Sequence, residues 1–289
     1  MQLIEDRAEW RAACDGARRA EKSLGLVPTM GALHRGHRSL VVRAADECDQ
    51  VAASIFVNPI QFGDASDLER YPRTLAADLE LLEGAGCDLV FAPSVTEMYP
   101  EFPALPTTSV RAGGLALGFE GSDRPGHFDG VATVVLLLLN LTMPDEAYFG
   151  EKDFQQVCVV RQMVEDLGLP TRIVGCPIVR EEDGLALSSR NARLSPEGRH
   201  AALSLVRALH AGAARSEAGA GLDEIEAAMT STVRAQEGAA LFYAAAVDPT
   251  TLERPRALAS GQELRLLVAA DVEGVRLIDN TGVTLGSPT

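Results

Sequence analysis

Three short apolar runs near the start of the chain, residues 24–30, 51–57 and 88–92, each end in a turn built on glycine or proline. Helical spacing fills the gaps between them. Residues 39–47 form one such stretch. Residues 74–83 form another, where Leu75, Leu79 and Leu82 recur along one side and Gly84 and Gly86 follow as a helix stop. Strands joined through helices pair in parallel, so this alternation commits the front of the chain to β-α-β units and a doubly wound parallel sheet. Residues 131–141 are apolar nearly all round, and their length, with Asp129-Gly130 before and Pro144 after, predicts a buried helix. Residues 147–149 and 171–179 predict two further strands, with a helix over 154–167 between them.

Beyond Arg193 the texture changes. Residues 196–215 and 222–236 are Ala-rich and helical, whereas 241–247, 264–270 and 275–279 read as strands separated by Gly and Pro turns. This predicts a first domain over residues 1–178 and a second, smaller α+β domain over 179–289, which suits a length of 289 residues.

Charge limits the partners. Lys and Arg total 26 against 41 Asp and Glu, a formal net charge of −15, so a long nucleic acid would be repelled. An anionic substrate must therefore meet a local cluster of positive groups. Cys14, Cys48, Cys87, Cys158 and Cys176 are scattered without a C-x-x-C pair, which predicts neither a disulfide framework nor a zinc site and fits a reducing cytosol. The longest apolar stretch, 131–141, falls far short of the ~20 residues of a membrane helix. Glu5, Asp6 and Glu9 stand where a signal peptide would be basic and then apolar. A cytoplasmic protein with no membrane partner is the expectation.

Only Lys22 and Lys152 of the 26 basic residues are lysine. Where arginine is the default cation, a retained lysine points to a use for a compact, rotatable ammonium on a moving phosphate. Lys22 reads as an exposed flank. Lys152, in Gly150-Glu151-Lys152-Asp153, follows an aromatic strand at the carboxyl end where open sheets bind ligands. There Lys152 would neutralise a phosphate, and Asp153 would accept from ribose hydroxyls or orient a metal-bound phosphate. A solvated helix start is the alternative.

His34-Arg35-Gly36-His37 follows the first strand through Pro28-Thr29-Met30-Gly31. The glycines let backbone approach a ligand, and a helix beginning near His37 would aim its first amides at a phosphate. Two imidazoles bracketing a glycine can both donate to phosphate oxygens as charge builds on them. Turn capping and metal ligation are the alternatives, but zinc needs a third protein ligand and no other His or Cys has a suitable spacing. His200 and His210 read as surface or packing residues of a helix. His127 lies in a loop before a helix, where local capping and a site role stand side by side. Leu187-Ser188-Ser189-Arg190-Asn191, with Gly184 for movement, reads either as a mobile phosphate clamp or as an N-cap followed by a surface arginine. Asn58 and Gln61 end the second strand, as turn chemistry or as contacts to a small polar substrate.

Taken in order and spacing, the segments Val27 to His37, Phe56 to Phe62, Arg124 to Val131, Tyr148 to Gln156 and Gly184 to Asn191 resemble the pantothenate synthetase (pantoate–β-alanine ligase) family of the HxGH nucleotidyltransferase superfamily. The resemblance implies an α/β fold, a Rossmann-like doubly wound parallel sheet with a second, smaller α+β domain. It implies ATP-dependent condensation of pantoate with β-alanine through a pantoyl adenylate, with ATP as substrate and Mg2+ on its phosphates. Carried over by motif, Met30, Gly31, Ala32, Leu33, His34, Arg35, Gly36 and His37 line the ATP site together with Gly150, Glu151, Lys152 and Asp153. Val179 would contact adenine from the hinge strand, and Leu187, Ser188, Ser189 and Arg190 would close over the phosphates. His34, His37 and Lys152 would be catalytic, with His37 the proton donor; Gln61 and Gln156 would hold pantoate, and Gln61 would also lie near β-alanine. A homodimer through the N-terminal domain is implied, and no protein ligand to a metal. Leu187 replaces a more usual methionine, a swap of similar volume. Asp129 stands where some relatives carry arginine, so no substrate role passes to it. Another HxGH adenylyl- or cytidylyltransferase is the nearest competing enzyme. A class I aminoacyl-tRNA synthetase would need a basic tRNA surface that the net charge does not supply. A nucleotide-binding regulator would not need both histidines and Lys152.

Overall fold

Asp6 starts the first helix, its carboxylate accepting from the amides of Ala8 and Glu9 at 2.8 Å each and so satisfying two donors that a helix start leaves over. The computed structural model describes residues 1–63 and 65–286. In chain order its first part comprises β1 (Gln2–Ile4), α1 (Arg7–Arg19), β2 (Leu24–Thr29), α2 (Arg35–Glu47), β3 (Gln50–Ile55), α3 (Ala65–Arg70), α4 (Leu75–Glu83), β4 (Leu89–Phe91) and α5 (Val95–Met98). There follow α6 (Glu120–Asp123), α7 (His127–Thr142), β5 (Glu146–Gly150), α8 (Phe154–Asp166) and β6 (Arg172–Cys176). The last part holds α9 (Pro196–Glu217), α10 (Leu222–Arg234), β7 (Ala239–Val247), β8 (Glu263–Val272) and β9 (Val275–Thr284).

Two compact units result: Met1–Glu151 with Gln155–Pro177, and Lys152–Phe154 with Ile178–Thr289. In the first, six strands pair in the order β1-β4-β3-β2-β5-β6, every pairing parallel. Strand order runs one way from β2 through β3 to β4 and the other way through β5 to β6. The switch point, where ligands of open α/β sheets bind, is therefore at the carboxyl ends of β2 and β5. Side chains alternate along each strand, so Leu24 and Leu26 enter one core with Trp10, α7 and α8, while Val27 enters another with Leu40, Val41 and Leu82. Trp10, fully buried, stacks on Phe91 with centroids 5.0 Å apart and donates from Nε1 to Thr142 Oγ1 at 3.0 Å. A buried indole needs that acceptor.

The second unit lays α9 and α10 on one face of the antiparallel sheet β7-β8-β9, where Leu264, Leu266, Val268, Ala270 and Val272 of β8 meet Leu205, Leu209, Ile225 and Met229. Several expected boundaries shift for local reasons. β6 stops at Cys176 rather than running to 179, because Pro177 cannot donate to a ladder. β9 extends five residues beyond the expected 279, and α7 starts at His127, so that residue opens the helix instead of preceding it. β1 and α1 had no counterpart among the sequence expectations. All five cysteines are free, and burial raises the thiols of Cys14 and Cys87 to about 12 and that of Cys176 to about 11. No described helix is long and apolar enough to cross a membrane.

Candidate active site

Thr29 closes β2, its Oγ1 donating to Ser54 O at 2.6 Å and accepting from Gly31 N at 3.2 Å. The chain then turns through the left-handed region at Gly31 (φ 84°) and Ala32 (φ 52°). A Cβ on residue 31 would stand 3.0 Å from Asp78 Oδ2, so the close approach as well as the φ calls for glycine. Asp78 of α4 is buried, and accepts from Ala32 N at 3.0 Å, from Leu33 N at 2.8 Å and from Thr74 Oγ1 at 3.1 and 3.2 Å. These donors are what makes a buried carboxylate tolerable, and in return the carboxylate fixes the loop from Met30 to Leu33.

His34 is the N-cap of α2, which begins at Arg35, two residues before the expected start near His37. The cause is a capping box in which histidine plays both parts: His34 Nδ1 accepts from Gly36 N at 3.1 Å, and His37 Nδ1 accepts from His34 N at 3.3 Å. A nitrogen that accepts carries no hydrogen, so each neutral ring bears its proton on Nε2. The two half-buried rings, 4.1 Å apart between centroids, thus present two Nε2–H donors at the amino end of a helix of 13 residues. Arg35 is exposed.

Gln61 follows β3 in a single turn of 3-10 helix (Pro59–Gln61) and is 7% exposed. Its Nε2 donates to Met30 Sδ at 3.0 Å, and its Oε1 accepts from Asn58 Nδ2 at 3.0 Å. Asn58 is held in turn by the Tyr99 hydroxyl, donating to Oδ1 at 2.9 Å, and by Gly130 O, which accepts from Nδ2 at 3.1 Å. Burial pushes the Tyr99 phenol well above its ordinary range, which keeps it a donor. The Gln61 carbonyl accepts from His127 Nδ1 at 2.9 Å, and His127 Nε2 accepts from Arg124 Nη1 at 3.1 Å. Since a carbonyl only accepts and a guanidinium only donates, His127 is the Nδ1–H tautomer. Gly130 lets α7 lie directly on this turn: a Cβ there would be 2.5 Å from Ile60 O and 2.7 Å from Gln61 Cα. Gln156 is half-buried on α8, and among the described residues its side-chain amide makes no hydrogen bond to Gln61.

Gly150 ends β5, paired with Cys176, and Glu151 to Asp153 form a 3-10 turn rather than the first turn of α8 itself. In the second unit Lys152 Nζ lies 3.8 Å from Asp153 Oδ1, with the lysine side chain 18% and the aspartate 52% exposed. Val179 lies outside β6, and its carbonyl accepts from Leu187 N at 2.9 Å. Arg180 and Ala186 pair as an antiparallel bridge just inside that bond. Ser188 Oγ accepts from Arg190 N at 3.2 Å and starts a 3-10 turn over Ser189–Arg193; Ser189 and Arg190 are exposed and Leu187 is buried. The first unit thus joins Met30 with Gln61 and His34 with His37. The second joins Val179 with Leu187 and Ser188 with Arg190. Among the described residues no three His, Cys, Asp or Glu side chains group so as to hold a metal ion.

A sequence model described as pantoate-beta-alanine ligase matches residues 2–282. The chain belongs to that family. Pantothenate synthetase of Paracoccus denitrificans is 48% identical over 283 residues, spanning 98% of both chains. That of Corynebacterium glutamicum is 53% identical over 263 residues, 90% of this chain and 93% of the relative. A crystal structure of pantothenate synthetase from Thermus thermophilus matches with a TM-score of 0.89 at 50% identity, covering 97% of this chain and 99% of that one. Pantoate-beta-alanine ligase from Francisella tularensis, crystallised with beta-gamma ATP and beta-alanine, matches at 0.77 and 35%, covering 97% of each. In this pantoate–β-alanine ligase family member, sequence reasoning overlooked Asp78 and Tyr99. Asp78 sits on a helix whose apolar spacing drew attention, yet Thr74 one turn before it was the available signal for a polar site.

Proposed function

We propose that the chain joins pantoate to β-alanine with consumption of ATP. A pantoate carboxylate oxygen attacks the α-phosphorus, the bond to the β-phosphate oxygen breaks, and pyrophosphate leaves. The amine of β-alanine then attacks the acyl carbon of the pantoyl adenylate, loses a proton and expels AMP. The reading is carried by the reciprocal bonding of His34 and His37, which turns two neutral imidazoles into fixed Nε2–H donors at a helix amino terminus. The carboxylate nucleophile is already ionised near neutral pH and needs positioning, whereas charge growing on the leaving pyrophosphate needs preorganised donors.

His37 donates a hydrogen bond from its Nε2–H to the leaving group as charge grows on it, with His34 beside it. Lys152 neutralises phosphate charge, with Gly150, Glu151 and Asp153 around the nucleotide. Val179 contacts adenine. Leu187 to Arg190 close over the phosphates and exclude water from a reactive adenylate. Gln61, whose amide is already oriented by Met30 and Asn58, holds pantoate and lies next to β-alanine. Gln156 also holds pantoate. The Asp153 carboxylate, exposed beside Lys152, would orient a phosphate that carries Mg2+, with the ion held on the phosphates themselves. When bound, the ion neutralises phosphate oxygens. Five free cysteines, four of them buried, support a cytoplasmic setting. The family resemblance supports a homodimer formed through residues 1–178.

Incubation of the purified chain with Mg-ATP, pantoate and β-alanine tests the reading. AMP and pantothenate are expected in a one-to-one ratio, and neither when pantoate is withheld. ADP in place of AMP, or AMP formed without pantoate, would sink it.

A further inference from the structure

Asp279 and Asn280 are neighbours on β9, and each is only 3% exposed. Successive strand residues face opposite sides of a sheet, so two polar side chains are buried on two different faces. On the face shared with α9, Asp279 takes both arms of Arg180: Nη1 donates to Oδ2 at 2.7 Å and Nη2 to Oδ1 at 3.0 Å. Arg180 Nη1 also donates to Gly184 O at 3.0 Å, and Asn191 Nδ2 donates to Ala186 O at 3.0 Å. The loop that ends in Leu187 to Arg190 is thereby tied at its base and at its far side. On the opposite face, Asn280 Oδ1 accepts from Arg265 Nε at 2.7 Å and from Arg265 Nη2, and Asn280 Nδ2 donates to Lys152 O at 2.9 Å. The arginine fixes which end of the amide is oxygen, so the donor to Lys152 is assigned by its partners. Arg265 Cζ lies 3.9 Å over the ring of Phe154, which anchors the other end of the same short segment. Asn280 N donates to Asp279 Oδ1 at 2.8 Å, joining the two halves.

We infer that Asp279-Asn280 is a positioning pair for the adenylation step: a strut on β9 that holds the Lys152 backbone and the base of the 180–191 loop in one register, so that lysine ammonium and clamp residues meet the same triphosphate. The inference rests on the function proposed above. Both side chains are committed to protein partners, so they act through Lys152 and Arg180. Charge develops on the β- and γ-phosphates only while pyrophosphate leaves. Once it has gone, the attack of β-alanine on the adenylate expels AMP and has no need of that register. The two half-reactions therefore separate a positioning role from a general structural one.

Three variants of the full chain make the test. Asn280→Asp keeps an oxygen for Arg265 and removes the donor to Lys152. Asn280→Leu removes the donor without adding a charge near the lysine. Asp279→Asn keeps the shape but weakens the hold on Arg180. In each, pantoate-dependent ATP–pyrophosphate exchange should fall about 10- to 100-fold, the penalty for misplacing reacting groups by roughly 1 Å. Reaction of β-alanine with supplied pantoyl adenylate should stay within about twofold of the unaltered enzyme, as expected where positioning of the triphosphate plays no part. Unchanged exchange in all three, or equal loss of both half-reactions, would overturn the inference. Failure of the parent reading is recognisable separately, because the unaltered enzyme would then show no pantoate-dependent exchange.

Discussion

Asp78→Ala tests how the loop after β2 is held. The change removes the acceptor of Ala32 N at 3.0 Å and Leu33 N at 2.8 Å, at a site where the residue is 2% exposed and water has little access. A hydrogen bond to a charged acceptor contributes about 1.5–3 kcal/mol net, so two of them amount to roughly 3–6 kcal/mol. The Thr74 hydroxyl loses the same partner, which pushes the total towards the upper end. At ~2–4 °C per kcal/mol for a unit of this size, the melting temperature should drop by roughly 6–24 °C. Activity should suffer more than folding at moderate temperature, since Ala32 holds its positive φ only while its own amide and that of Leu33 are fixed. The assay is thermal unfolding followed by circular dichroism, together with pantoate-dependent ATP–pyrophosphate exchange about 20 °C below the variant's midpoint, a margin that keeps the folded state dominant. Asp78→Asn, which retains one acceptor oxygen, should fall between. A midpoint within about 2 °C of the unaltered chain, with full exchange, would refute the reasoning, because surface-like substitutions cost no more than that.

Further outcomes follow from the same geometry. His37→Gln should lower the exchange rate at saturating substrates by about 10²-fold or more, the usual loss for one donor on developing charge, and a loss below about tenfold would remove His37 from the chemistry. Lys152→Ala should lower adenylation strongly while the far-ultraviolet spectrum is unchanged, and near-normal pantoate-dependent turnover would take the lysine out of the mechanism. Glu146 is desolvated, yet hydrogen bonds from Arg172 and Tyr148 outweigh that and hold its carboxyl below the ordinary range. Asp183 is desolvated too, and Arg199 with Leu185 N more than offsets it, again lowering the carboxyl. A folded-state value depressed below the unfolded one adds stability above the unfolded value of roughly 4 and loses it as pH falls through the folded value. Urea midpoints should therefore be steady from about pH 7 to about pH 5 and fall below about pH 4, and a flat profile to about pH 3 would contradict the assignment.

The alternation of short strands with helices was legible because each element buries a stripe or a face, and that burial writes a period into the chain. The run 131–141 read correctly as a helix for a different reason: buried nearly all round it carries no period, and its length between Asp129-Gly130 and Pro144 decided the matter. The first strand and helix went unread, although Asp6 and Glu9 three residues later form a recognisable helix start. At the site, His34 and His37 stood out through local spacing, but their tautomers depend on which nitrogen meets which amide, and only the folded chain decides that. Asp78 lies 46 residues from the amide it fixes, and Asn280 lies 128 from the carbonyl it holds. Contacts of that range leave no periodic mark. Pro177 is the exception, a strand stop visible in the sequence, and β6 ends one residue before it.

The most direct measurement of the central claim is ATP–pyrophosphate exchange by the unaltered chain with Mg2+ and pantoate, leaving out β-alanine. Exchange that depends on pantoate, followed by release of AMP and pantothenate when β-alanine is added, is the predicted result. Exchange that ignores pantoate, or no pantothenate from the complete mixture, would contradict the account.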